Sequence, residues 1–200
     1  MSKKLTFRRF VAFIIDALIV SFIVGAFASL KTINPTLDEY NESYNKFTNY
    51  AQEVYFNGNH DLLNDKEVMD MSYDVAYYGR YSSVISFVVL LLYFGVFQYW
   101  TDGKTMGKLL LRIKVKSTEG KLKIEQTLMR SAIINGLFTK LISIILIFTL
   151  SKNSYNSVSV YVDILYIGLI LTSCAMIVFR EDGVGLHDLF GKTKVVRINE

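Results

Sequence analysis

The sequence has little from which to build a covalent or metal-bound core. It holds one cysteine, one proline, one tryptophan and two histidines in 200 residues. A lone cysteine, Cys174, excludes an intramolecular disulfide framework and any multi-cysteine metal site. Placed inside an apolar run, it reads as a small buried or lipid-facing side chain. His60 stands without a His, Cys or carboxylate pattern at ligand spacing, so no metal is expected there. No His-Glu-x-x-His, Gly-x-Ser-x-Gly or paired-Cys pattern occurs. No nucleophile and base stand at a recognisable spacing. These absences point away from an enzyme, a cofactor and a nucleic-acid partner.

Charge is also missing, but only in certain places. Residues 10–30 hold a single charge, Asp16; residues 82–100 hold none; residues 131–150 hold Lys140 and residues 158–179 hold Asp163. Apolar residues make up 52% of the chain, and they are gathered into these runs. At 1.5 Å per residue, each run reaches roughly 28–33 Å, the thickness of a bilayer core. Backbone polar groups in lipid must be satisfied internally, so the runs are predicted as four transmembrane helices.

The connecting segments set the expected direction. Lys3, Lys4, Arg8 and Arg9 precede the first span. The loop 31–80 carries four basic residues against nine acidic, whereas the loop 101–130 carries eight basic against three acidic. Basic loops stay cytoplasmic. Both chain ends and the loop 101–130 are therefore expected inside, with 31–80 and 151–157 outside. Gln98, Tyr99 and Trp100 end the second span where an interfacial anchor belongs. A rival reading takes Ala26-Phe-Ala28 as the end of a cleavable signal peptide. The length of the run and Asp16 within it argue against that.

The loops carry their own patterns. Tyr40, Tyr44, Phe47, Tyr50 and Ala51 recur at helical spacing and predict a helix over residues 37–56. Asn57-Gly58-Asn59 should break it, and residues 65–78 fit a second, shorter helix. This outer segment reads as a locally folded connector or a binding cap. In the inner loop, Leu111, Ile113 and Val115 alternate with basic residues. A turn follows, then Leu122 and Ile124 alternate with Lys121 and Lys123. The pattern predicts a small cytoplasmic β-hairpin, or a three-stranded sheet if residues 194–198 join, with lysines turned toward anionic headgroups. The expected class is thus an all-α membrane protein with one small sheet and a partly helical extracytoplasmic loop. It forms a single domain over residues 1–200.

Thr101-Asp-Gly-Lys-Thr-Met-Gly-Lys looks like a phosphate loop but is not one. Counting from Gly103, the second glycine of a P-loop would fall at residue 108, which is Lys. Around Gly191-Lys192-Thr193 the first glycine would fall at residue 186, which is Leu. Three segments together are similar to something else: Arg9-Phe-Val-Ala-Phe-Ile-Ile-Asp16, Gly103-Lys-Thr-Met-Gly-Lys-Leu-Leu-Leu-Arg-Ile-Lys-Val115, and Gly185-Leu-His-Asp-Leu-Phe-Gly-Lys-Thr-Lys-Val-Val196. In that order they resemble the RDD family of small bacterial integral membrane proteins. Met106 stands where that family often has proline. The resemblance implies that the named arginine and two aspartates are Arg9, Asp16 and Asp188. It also implies a bacterial cell membrane and a general role in transport, with cation/proton exchange proposed for some members.

The candidate polar network is therefore Arg9, Asp16, Lys140 and Asp188. An intramembrane aspartate is costly and should face protein or water. Depth makes an Asp16–Lys140 pair geometrically possible, either as a register-fixing ion pair or as part of a transport path. Lys140 could instead snorkel inward. Asp163 lies near the outer end and can reach the headgroups. Leu186, Leu189 and Phe190 fit one face of a short interfacial helix that would bring Asp188 near Arg9 or Arg112. His187 beside it reads as an ordinary exposed histidine. Gly168, Thr172 and Ala175 offer a close-packing surface. Two functions follow. One is a transporter or transport accessory with Asp16 as titrating group, for which a homo-oligomer is expected. The other is a non-transporting scaffold or regulator whose basic inner face binds lipid headgroups or a partner protein.

Overall fold

The computed structural model describes residues 3–56 and 65–198. His60 and the Asn57-Gly58-Asn59 break lie outside them. Three helices are long and apolar enough to cross a membrane: Leu5–Ala28 within α1 (Lys3–Ala28), the composite helix Arg80–Trp100, and α9 (Lys152–Phe179). The first span starts earlier than its apolar run because Arg8 and Arg9 turn inward and are held by the fold. The last also starts early. Lys152 bonds Asp74 at 3.3 Å and lies 3.7 Å from Asp70, and Asn156 donates to the Met69 carbonyl at 3.0 Å. Most of the expected outer connection at 151–157 is therefore helix.

The composite span is not uniform. α4 (Arg80–Leu90) runs into a π-helical segment, Leu91–Phe97, and ends in α5 (Gln98–Trp100). Within the π segment, the Gly95 carbonyl accepts from Thr127 Oγ1 at 3.0 Å. A Cβ at Gly95 would lie 2.6 Å from Leu128 Cδ2. A wider turn and a missing side chain let the neighbouring helix close in.

The expected third span, 131–150, is broken. α7 (Ile124–Ile134) and α8 (Leu137–Thr149) meet at a 69° bend. Gly136 makes that bend with φ +67°, a left-handed conformation that costs glycine nothing. α7 buries Gln126, Thr127, Arg130 and Ser131 and exposes Met129. It keeps its polar face for the protein, which an average over apolar residues does not register.

The outer segment folds as expected into α2 (Leu37–Phe56) packed along α3 (Lys66–Tyr78). Asp65 caps α3 by accepting from the Glu67 and Val68 amides. The inner loop departs from expectation. β1 (Ile113–Ser117) pairs antiparallel with β2 (Thr193–Arg197), not with residues 121–124. Gly120 turns at φ +114°, and the Gln126 side chain then accepts from the Lys123 amide and starts α7. Among the described residues the sheet has two strands. Its inner face, Ile113, Val115 and Val195, packs on Leu5 and Ala12 of α1.

Each strand follows a five-residue helix: α6 (Met106–Leu110) before β1 and α10 (Leu186–Phe190) before β2. Each link places a basic residue at positive φ, Arg112 at +54° and Lys192 at +49°. The register centres on the Val115–Val195 pair. The two motifs are thus related locally by a pseudo-twofold through that pair.

Candidate functional site

Asp16 is 1% exposed and faces protein, not lipid. Oδ1 accepts from Tyr93 Oη at 2.7 Å and from the Gly107 amide at 2.8 Å. Oδ2 accepts from Thr105 Oγ1 at 2.5 Å. Lys108 Nζ stands 3.8 Å away. The Gly/Lys segment after the second span is built around this carboxylate. Gly103, at φ +81°, accepts from the Val115 amide, and a Cβ there would sit 1.9 Å from the Val115 carbonyl oxygen. Thr105 is the N-cap of α6. A Cβ at Gly107 would fall 2.3 Å from the Ala12 carbonyl oxygen. Its absence lets the first turn of α6 rest on α1. Small and hydroxylated residues here serve a carboxylate, not a phosphate.

Asp188 is fully buried. Oδ2 accepts from Arg9 Nη2 at 2.5 Å and from the Gly185 amide at 3.1 Å. Oδ1 accepts from Arg130 Nη1, which also reaches Thr193 Oγ1 at 2.8 Å. Arg9 donates further to the Gly183 carbonyl at 2.7 Å. Arg9 is thus the expected partner of Asp188, but Arg112 is not. Arg130, on the unexpected helix α7, takes that place.

His187 is not an exposed histidine. It is 3% exposed, with Nδ1 at 2.5 Å from Ser173 Oγ and Nε2 at 3.4 Å from Arg9 Nη2. A guanidinium only donates, so Nε2 carries the lone pair and Nδ1–H donates to Ser173. Burial pushes its pKa far down, and Arg130, Arg9 and Lys108 push the same way. The ring is neutral. Burial also pushes the Lys108 ammonium down to about 8, with Asp16 opposing and Arg130 and Arg9 adding to the effect.

Asp16 and Lys140 share no hydrogen bond or ion pair among the described residues, so the expected pair is not formed. Lys140 lies on α8, where its electrostatic partner is Asp163 of α9. Gly168, Thr172 and Ala175 are exposed, and nothing approaches Gly168 within 4 Å. Among the described residues nothing occupies the expected close-packing face at Gly168. Of the four candidates, Arg9, Asp16 and Asp188 converge and Lys140 stands apart. Tyr93, Lys108 and Arg130 complete the cluster. Tyr93 carries the one side-chain hydroxyl between Phe87 and Phe97.

Arg9, Asp16, Lys108, Arg130 and His187 line one cavity of about 390 Å³. The family model described as the RDD family matches residues 5–192. The chain belongs to the RDD family. That match takes in the arginine and both aspartates of the cluster, and the α6–β1 and α10–β2 motifs up to Lys192. No curated protein and no solved structure matches the chain.

Proposed function

We propose that this RDD-family protein is a non-transporting membrane scaffold or regulator. Its four spans would leave both chain ends and the β1–β2 sheet at the cytoplasmic face of a bacterial cell membrane. There Lys116, Lys121, Lys123 and Lys194, all exposed, would meet anionic headgroups or a partner protein. The observation that supports this reading is the saturation of Asp16. Both carboxylate oxygens are taken up by donors fixed to α6 and the π segment. Asp188 is held in the same way by Arg9, Arg130 and the Gly185 amide. Groups engaged by so many fixed donors act as clamps between elements. The structure they hold is an α1–α6–α7–α10 junction with the sheet beneath it.

A second reading, cation/proton exchange with Asp16 as titrating group, draws support from the cavity beside that residue. A homo-oligomer would supply the path that one narrow bundle lacks. Ion flux into proteoliposomes, wild type against Asp16→Asn, separates the two. The scaffold reading expects no protein-dependent flux from the wild type and a lower detergent melting temperature for Asp16→Asn. Flux present in the wild type and absent from an equally folded Asp16→Asn would establish exchange instead.

A further inference from the structure

The cavity is amphipathic. One wall consists of Phe10 and Phe13 of α1 with Ile170, Cys174 and Val178 of α9. Phe10, Phe13, Cys174 and Val178 are exposed, and α1 and α9 scarcely touch. The mouth therefore opens sideways between two helices of membrane-spanning length. It spans residues 6–16 of α1, roughly 15 Å along the helix at 1.5 Å per residue. That is half a bilayer core, on the side of the β1–β2 sheet.

The inner end is cationic. Arg9, Lys108 and Arg130 face two carboxylates, Asp16 and Asp188, so one positive charge is left over. Two arginines share the single carboxylate of Asp188, so the surplus lies on that group. Lys108 pairs with Asp16 only loosely, at 3.8 Å, and among the described residues its Nζ makes one closer contact, to Thr105 Oγ1 at 3.2 Å, which leaves ammonium hydrogens free. The same cavity is lined by a donor that has no partner. Gln98 is 3% exposed and lines the cavity, and its Nε2 has no hydrogen-bond partner among the described residues. Gln98 lies one turn beyond Phe94, and Lys108 Nζ is 5.8 Å from the Phe94 ring centre. A buried donor left unsatisfied costs about 1–3 kcal/mol. A surplus buried cation also calls for an anion.

We propose that this cavity binds one anionic membrane phospholipid, entering sideways between α1 and α9. Its phosphate accepts from Lys108 Nζ and Gln98 Nε2, and an acyl chain lies along Phe10, Phe13, Cys174 and Val178. A soluble phosphate would satisfy the donors but leave the apolar wall bare. The site requires only that the chain sits in a bilayer, and it stands whether or not the protein moves an ion.

Native mass spectrometry of the purified full-length chain tests this. The protein is offered phosphatidylglycerol and phosphatidylcholine with identical acyl chains, and in a separate arm inorganic phosphate. Wild type is expected to retain one phosphatidylglycerol in preference to phosphatidylcholine. Lys108→Met and Gln98→Met should each weaken that retention by about tenfold, the value of one hydrogen bond to a charged group. Gln98→Met removes a donor with no partner, so it should fold at least as well as wild type and decides the matter if Lys108→Met does not fold. Equal retention of the two lipids by wild type overturns the proposal. So does undiminished preference in folded Gln98→Met. Displacement of the lipid by inorganic phosphate would assign the donors to a soluble anion and overturn it as well.

Discussion

Asp188 sits between Arg9 and Arg130 with no exposed surface, and the ring of the residue before it meets Arg9 at 3.4 Å. His187 therefore has a fixed electrostatic surrounding: Arg9 from α1, Arg130 from α7, Lys108 from α6, Ser173 from α9 and Asp188 on its own helix. Three cations and burial outweigh one carboxylate, already engaged by arginine, so the folded protein holds the ring neutral. The unfolded chain protonates it near the ordinary value of 6.5. Below that pH the unfolded state binds a proton that the folded state refuses, so stability falls as pH falls. The contribution is fully present above 6.5 and declines through the range below it. Thermal unfolding in detergent, measured from pH 7.5 down to about 5, where carboxylates near their reference values contribute little, should show a falling midpoint. His187→Asn keeps a donor near Ser173 and should show a flatter profile. An unchanged slope in that variant would remove His187 as the cause.

At the scale of elements, departures from regular helix shape the site. The π segment carries Tyr93 toward Asp16 and opens Gly95 to Leu128. The Gly136 bend turns α7 away from the axis of α8 and so delivers Arg130 to Asp188. Gly136 combines a positive φ with close contact, since a Cβ would lie 2.8 Å from the Tyr166 ring. Gly136→Ala should lower stability by about 1–3 kcal/mol, from left-handed strain and overpacking, measured as a drop in detergent melting temperature. A midpoint equal to wild type would mean that the bend is not held by glycine. The sequence made much of this visible. Apolar runs marked the long helices, three-and-four spacing marked α2, and motif positions picked out Arg9, Asp16 and Asp188. Arg130 was invisible because it lies in a mixed, basic segment whose polar face points inward. The partner of β1 was invisible because alternation identifies a strand without naming its neighbour. Here the neighbour lies some eighty residues further on, and the residues nearby that also alternate form a helix start. Lys140 misled because depth along a span fixes height but not azimuth, and its azimuth turns it toward Asp163.

The whole molecule has two chemically distinct ends. At one, the sheet packs under Leu5 and Ala12 of α1, and Gln126 of α7 donates to the Lys192 carbonyl. At the other, α3 meets the start of α9 through Lys152 and Asn156. The chain leaves the first end at Ile124 and arrives at the second by Lys152, with the bent pair α7–α8 between them. Three helices are long enough to cross, and the bent pair makes a fourth crossing if its two halves count as one span. Four crossings would return the chain to the side on which it began. The sheet end carries the basic loop, and the α2–α3 end carries the acidic one, which sets the expected direction. Reporter fusions in the α2–α3 connection at Asn59 and after the C-terminus should therefore report opposite compartments, the C-terminal one cytoplasmic. If the bent pair only dips into one leaflet, α9 would have to run in the other direction. Both reporters would then share a compartment.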